Sequence, residues 1–325
     1  MRRRMGRRRR RAKGRFLGLL VLLGLCVLLV YAYGERAPAA ADPLEAPVSG
    51  VLRVHYVDVG QGDATVWELP GGALVVYDCG PLAEDAEDNP LLRYLRDTLG
   101  APPGARLAAL IASHGHLDHV GGCEEVLATY DFEHVYEAWY EGSDAPASYA
   151  RFQRNILAED ATLHRLPELA PGLALAAPGA RATLLWPPAF APGGWGAIAE
   201  ASLVVRLEHG ARSFCFQGDI EIQQEAQLAG RCDVYLVGHH GSRYASSAGW
   251  LARMRPEVSV ASFGENGYGH PHPDTLCRLQ EAGSTVYTTH RGGSVVVETD
   301  GTGLKVLKGE PETADHCQPG AAYWP

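Results

Sequence analysis

The segment His114-Gly115-His116-Leu117-Asp118-His119 constrains this chain more than any other feature. It follows directly on Leu107 to Ala112, a continuous apolar run. Such a run reads as a strand buried on both faces, so the polar cluster sits where a buried strand ends. Imidazole and carboxylate groups crowded this closely are the donors that Zn²⁺ and similar ions prefer. A loop leaving a strand can turn His114 and His116 toward one ion, and Asp118 and His119 toward a second. Gly121-Gly122 then lets the chain turn closely around them.

Other segments supply what this loop lacks. Gly218-Asp219-Ile220 follows a strand at Ser213 to Gln217 and opens a helix. A carboxylate there can bridge two ions, although Asp is also an ordinary helix N-cap. Val237 to Ser242 ends another buried strand and adds an imidazole, from His240 or from His239. Tyr268-Gly269-His270-Pro271-His272-Pro273 sets two histidines in a rigid turn. His270 is assigned there to donate a proton to a leaving group or to contact a substrate phosphate; shaping the turn is the competing role. Asp63 and Asp78 also sit at strand ends and are candidates to orient histidine ligands by accepting their N–H, with His239 grouped beside them if His240 is the ligand.

The 325 residues suffice for one large domain, and 46% apolar content builds a sizeable core. Strands are expected at Val51 to Val57, Ala64 to Leu69, Ala73 to Tyr77, Leu107 to Ala112, near 173–176 and 182–186, and at Ser202 to Leu207 and Ser213 to Gln217. Further strands follow at Asp233 to Val237, Val258 to Ala261, Thr285 to Thr288, Ser294 to Glu298 and Leu304 to Leu307. Helices are expected at Asn89 to Leu99, Val120 to Tyr130, Ser148 to Glu159, 221–229, 246–254 and Pro273 to Ala282. Strand meanders followed by alternating strands and helices predict an α/β sandwich, sheets inside and helices outside, over 51–308 with a tail at 309–325.

The net charge of −9 hides a division. Residues 1–15 carry ten Lys or Arg and no acid, leaving 19 Lys and Arg against 38 Asp and Glu, a net −19, for 16–325. So acidic a body disfavours extended DNA binding, which relies on cations displacing counterions from phosphates. The basic tip precedes Phe16 to Tyr33, an apolar run of 18 residues without a charge. It reads as a single-pass signal-anchor with the N-terminus in the cytoplasm and the body outside the cell membrane. The alternative is a cleaved signal and a secreted protein, but Ala39-Ala40-Ala41 lies several residues beyond the run. Residues 34–50 read as an Ala/Pro-rich stalk. Beyond Cys26 in the apolar run, six cysteines permit disulfides, with buried thiols the alternative; Cys79 and Cys123, both just past the candidate site segments, are one conceivable pair.

Together these segments resemble the metallo-β-lactamase superfamily, and more narrowly the soluble metallo-β-lactamase domain of ComEC-type competence (DNA-uptake) proteins and their stand-alone relatives. The likeness rests on Val57 to Asp63, Ser113 to Gly122, Ser202 to Leu207 with Gly218 to Glu221, His239 to Ser242 and Tyr268 to Pro273, in that order. It implies a four-layer αββα sandwich with the metal site at one edge of the sheets. It implies His114 and His116 at one metal position, Asp118, His119 and His240 at the other, and Asp219 bridging. One or two divalent ions are expected, zinc first, with manganese or iron admitted by the same donors. Many members carry another metal-binding His before the strand equivalent to Ser202–Leu207; here Trp195 to Ala201 has none, leaving Glu200 or water to complete the first position.

The implied reaction is hydrolysis by water that a cation has acidified toward a pKa of ~7, positioned by Asp118 and Asp219. A small phosphodiester or nucleic-acid-type substrate suits two adjacent metals. A binding or assembly component of a competence or envelope machine is the alternative, and a β-lactamase a third.

Overall fold

The computed structural model describes residues 50–140, 145–165, 172–173, 177, 179–187, 198–318, 321 and 323. The chain divides into Met1–Glu45 and Ala46–Pro325. The first unit, which carries the apolar run 16–33, lies outside the described residues; among the described ones no helix is long and apolar enough to cross a membrane.

Alternation sets the inner face of the first sheet. In β1 (Leu52–Tyr56), Leu52, Val54 and Tyr56 are fully buried on one face, as the two-residue period of a strand requires. β1 pairs with β2 (Ala64–Glu68) and β2 with β3 (Leu74–Cys79), both antiparallel. β3 then runs parallel to β4 (Arg106–Ala112), β4 to β5 (Asp131–Glu137) and β5 to β6 (Thr162–Arg165). The second sheet is built from β7 (Gly172–Leu173), β8 (Ala180–Trp186), β9 (Val204–His209), β10 (Arg212–Phe216), β11 (Val234–Leu236), β12 (Val258–Ala261) and β13 (Thr285–Thr288). Its β10 to β13 are parallel. The chain returns to the first sheet through β14 (Val295–Thr299), which pairs with β1, and β15 (Leu304–Lys308). Among the described residues the orders are β15-β14-β1-β2-β3-β4-β5-β6 and β13-β12-β11-β10-β9-β8-β7.

Three apolar clusters give the layers. The central one joins the sheets: Tyr56, Trp67, Tyr77 and Ile111 meet Val205, Leu207, Phe214 and Phe216. Phe216 sits 4.6 Å from the Trp67 ring and 5.3 Å from that of Tyr77, centroid to centroid. On the far side of the first sheet, Leu110 and Ala112 pack with Leu91, Leu95, Val126 and Phe152 of the helices. On the far side of the second, Tyr235 and Val237 pack with Trp250, Leu251, Leu276 and Leu279. A helix layer outside each of two facing sheets is the expected αββα sandwich.

The structure differs from the sequence reading in places. The helix expected over Val120 to Tyr130 is two, Leu117–Val120 and Cys123–Thr129. That expected over 221–229 shortens to Ile222–Glu225, after which the backbone tightens into turns in which Gln227 and Leu228 N–H donate three residues back to Gln224 and Glu225. The strands β5 and β6 were not anticipated: β5 carries Asp131, Glu133 and His134 among its apolar residues, which breaks the alternation. The tail after β15 lies against the domain, with Glu312 N–H donating to the Val286 carbonyl and Cys317 bonded to Cys277. All six described cysteines outside the apolar run are paired: Cys79–Cys123, Cys215–Cys232 and Cys277–Cys317.

Gly122 explains the broken helix. A Cβ there would stand 2.5 Å from the Cys79 carbonyl oxygen and 2.9 Å from Asn89 Nδ2, so only glycine lets this segment lie against the end of β3. Its N–H donates to the Gly80 carbonyl at 3.1 Å. Gly122→Ala is expected to cost about 1–3 kcal/mol, the usual penalty for overpacking against an unyielding neighbour. A lowered midpoint with unchanged slope in urea unfolding would register it; an unchanged midpoint would contradict the packing argument.

Candidate metal centre

Strand ends from both sheets supply the site. Asp78 is the second-last residue of β3, β4 leads into Ser113 and His114, β10 into Asp219, and β11 into His239 and His240; Asp63 immediately precedes β2. The two sheets are tied at this edge by Leu203 N–H to the Ser113 carbonyl at 2.8 Å and by Tyr77 Oη to the Leu203 carbonyl at 2.9 Å. His116 occupies the N-cap position of the helix Leu117–Val120, which projects Asp118 and His119. The Asp118 carbonyl accepts the Asp63 N–H at 3.1 Å.

His239 and His240 lie in a tight turn, Gly238–Gly241, with φ of 50° and 51°. Left-handed backbone costs an L-residue roughly 1–2 kcal/mol, and consecutive non-glycine residues rarely adopt it. The turn is fastened by His239 N–H to the Gly218 carbonyl and by His272 N–H to the Gly241 carbonyl.

The side chains converge on one carboxylate. Asp219 Oδ1 lies 3.3 Å from His119 Nε2 and 3.8 Å from His240 Nε2, and His240 Nε2 lies 3.2 Å from Asp118 Oδ2. Asp219 Oδ2 lies 3.6 Å from both His114 Nε2 and His239 Nε2. His116 Nδ1 is 2.9 Å from His114 Nε2. Two groups of donors with ligand atoms within 4.8 Å of one another result: His114, His116 and Asp219, and Asp63, His119 and His240.

The inward atoms fit cations. His119 Nε2, His240 Nε2 and Asp219 Oδ1 are buried and make no hydrogen bond. Two donors ~2.0–2.1 Å from one tetrahedral ion stand roughly 3.3 Å apart, close to the separations above. The outward atoms are held instead. His119 Nδ1 is 2.8 Å from Asp78 Oδ2, whose other oxygen accepts Ser113 N–H at 2.7 Å. His240 Nδ1 is 3.0 Å from the Ser262 carbonyl and 3.4 Å from Asp63. His114 Nδ1 is 3.1 Å from Ser113 Oγ. Partners behind each imidazole fix its tautomer and aim, as in metal sites generally.

Asp63 and Asp78 thus stand behind the inward donors, with Asp63 fully buried and close enough to belong to one donor group. His270 is half-buried with its ring 5.4 Å from that of His239. His272 points elsewhere and caps the helix Pro273–Glu281, its Nδ1 accepting Asp274 N–H. Neither donor group contains Glu200, whose carbonyl accepts from Trp186 Nε1; Trp195 to Ala197 lie outside the described residues. Ser113, the Ser262 carbonyl and Glu221 were not singled out from sequence. Ser113 and Glu221 adjoin His114 and Asp219 closely enough in the chain to have been suspected, whereas the Ser262 contact is purely spatial. A cavity of 670 Å³ lined by Arg53, His55, Glu68 and Arg106 opens at the opposite edge, where β3 and β4 begin, and shares no residue with either donor group.

The electrostatics follow from burial and from the carboxylates. Burial works against the charged form of His119, but Asp219 and Asp78 outweigh it and hold its pKa well above the ordinary value. Asp63 and Asp219 do the same for His240 against its own burial. Burial, then the neighbouring His119, pushes His114 well below. Burial also lowers His270 to about 4, helped by His239 and His240. Without cations, protons on His119 and His240 therefore supply the positive charge that balances Asp219.

Comparison with known proteins agrees with this architecture. Residues 57–194 match the family model of the metallo-beta-lactamase superfamily. Over those residues the chain is similar to that superfamily. ComE operon protein 3 of Bacillus subtilis is 26% identical over 261 residues, covering 74% of this chain and 32% of that protein. Recombination protein 2 of Haemophilus influenzae is 28% identical over 251 residues, covering 75% of this chain and 28% of that protein. Competence protein ComA of Neisseria gonorrhoeae is 31% identical over 114 residues, 33% of this chain and 16% of that protein. The chain is thus similar to part of these competence-related proteins, and it spans about a third or less of their length.

Cation uptake by this domain is expected to release protons, because His119 and His240 hold protons above the ordinary histidine range while His114 does not. Affinity then rises with pH until both imidazoles are deprotonated. Calorimetric titration of the metal-free protein in buffers of differing ionisation enthalpy measures the release; heats independent of buffer would contradict it.

Proposed function

We propose that the protein is an extracytoplasmic, metal-dependent phosphodiesterase, anchored in the cell membrane by the apolar run at 16–33. The observation that carries the hydrolase reading is the placement of Asp219: its two oxygens address separate clusters of imidazoles. His114 and His116 on one side and His119 and His240 on the other would hold divalent cations with Asp219, which would supply charge stabilisation for the attacking and leaving oxygens of a phosphoryl group.

The chemistry supplied by bound divalent cations is a hydroxide nucleophile at neutral pH and neutralisation of charge developing on the phosphoryl oxygens. The chain's own residues do the rest. Asp118 and Asp219 accept hydrogen bonds from the attacking water and orient it. Asp78 keeps His119 aimed inward, and the Ser262 carbonyl does the same for His240. With its pKa lowered to about 4, His270 is a neutral imidazole at physiological pH, suited to hydrogen-bond a phosphate oxygen rather than to surrender a proton.

Location and substrate class rest on other features. Three disulfides favour an oxidising compartment, and the cationic tip before the apolar run favours a body outside. The net −19 of residues 16–325 favours a small phosphodiester or a short nucleic-acid segment over a long duplex.

The test is turnover of bis(p-nitrophenyl) phosphate by the purified full-length chain in detergent with Mn²⁺ or Zn²⁺. Turnover is expected, with Asp219→Asn lowering kcat by at least about 10²–10³-fold, the scale of losing one charge-stabilising group. Nitrocefin should remain intact. A chain that binds neither ion and turns over no phosphodiester would overturn the reading in favour of a binding or assembly role.

A further inference from the structure

We infer that His239 takes the place of the histidine missing before β9 and completes the cation position formed by His114, His116 and Asp219. The inference rests on the metallohydrolase reading and adds a residue to its site.

Three observations converge on His239. Its Nε2 lies 3.6 Å from Asp219 Oδ2, the same distance and the same oxygen as His114 Nε2, whereas His240 approaches Oδ1. Its Nδ1 lies 3.5 Å from Glu221 Oε1 without a hydrogen bond, so a carboxylate stands near the outer nitrogen while Nε2 faces Asp219. Its backbone occupies the left-handed region at φ 50°, ψ 47°, beside His240 at φ 51°, ψ 24°.

The backbone makes the arrangement possible. Neighbours in an extended strand send their side chains to opposite faces, so only one of two adjacent histidines would reach the site. Two successive left-handed residues curl the chain so that both rings point to one carboxylate, one ring to each oxygen. Strain of this kind persists where the surroundings over-determine it, and the bond from His239 N–H to the Gly218 carbonyl fastens this turn to the Asp219 loop.

The first position would then have three imidazoles and Asp219, while the second keeps Asp63, His119 and His240, with Asp118 Oδ2 3.2 Å from His240 Nε2. Glu221 becomes a positioning residue, acting through His239.

The experiment is metal analysis of the full-length chain after reconstitution with Zn²⁺ and gel filtration, with Co²⁺ absorption as an independent readout of ligand number. His239→Asn is the variant of choice, because asparagine tolerates the left-handed backbone but is too short to reach the site. Wild type is expected to retain two ions per chain and His239→Asn one, its first-position affinity falling more than about 100-fold. Glu221→Gln should weaken the same position by about 10–100-fold, the usual effect of losing an outer partner. His240→Asn should lose the other ion. Two ions and an unchanged Co²⁺ spectrum in His239→Asn would overturn the assignment while leaving the hydrolase reading intact, as would a single ion in wild type. Wild type without any bound metal would remove both.

Discussion

The buried carboxylate of Asp219 is the constraint on which the rest of the site depends. It is 3% exposed, and its Oδ1 makes no hydrogen bond within the protein. Burying an unpaired charge costs several kcal/mol or more, and folded chains keep one only where an opposite charge is supplied. The nearest groups are imidazoles, themselves buried and aimed inward. Protons can supply that charge one imidazole at a time, but divalent cations satisfy carboxylate and imidazoles together. The αββα frame provides the edge at which β4 and β10, from different sheets, release their loops toward the same point.

Behind this carboxylate stands an outer ring that leaves the imidazoles little freedom. Asp78 holds His119 and the Ser113 N–H at once, Ser113 Oγ steadies His114, and the Ser262 carbonyl holds His240. Cys79, next to Asp78, is bonded to Cys123, at the start of the helix that follows His119 by a short turn. In loop-entropy terms a closure of 44 residues contributes about 4 kcal/mol, and here it also locks the end of β3 to the loop that carries the ligands. The same joint demands Gly122, since no side chain fits between helix and strand there.

Much of this was legible in the sequence, and the reasons are specific. Val258–Ala261 and Thr285–Thr288 were read with the bounds they have, the first because a strand inside the parallel part of a sheet is buried on both faces and stops abruptly, the second, at the sheet edge, from its β-branched and aromatic residues. The site residues were legible because polar clusters sat where such runs ended. β5 was not, since its charged residues mask the pattern. Nor could sequence assign His239 and His240 to opposite oxygens of Asp219. That depends on a left-handed turn at two adjacent non-glycine residues, which no propensity favours and which spatial contacts such as those of Gly218, Gly241 and Ser262 hold in place.

The account's central claim is that Asp219 joins two cation positions. Anomalous diffraction from crystals of the Mn²⁺- or Zn²⁺-loaded protein tests it most directly. Two peaks are expected, one beside each carboxylate oxygen of Asp219, bounded by His114, His116 and His239 on one side and by Asp118, His119 and His240 on the other. No peak at Asp219, or peaks bound elsewhere with these imidazoles turned away, would contradict it.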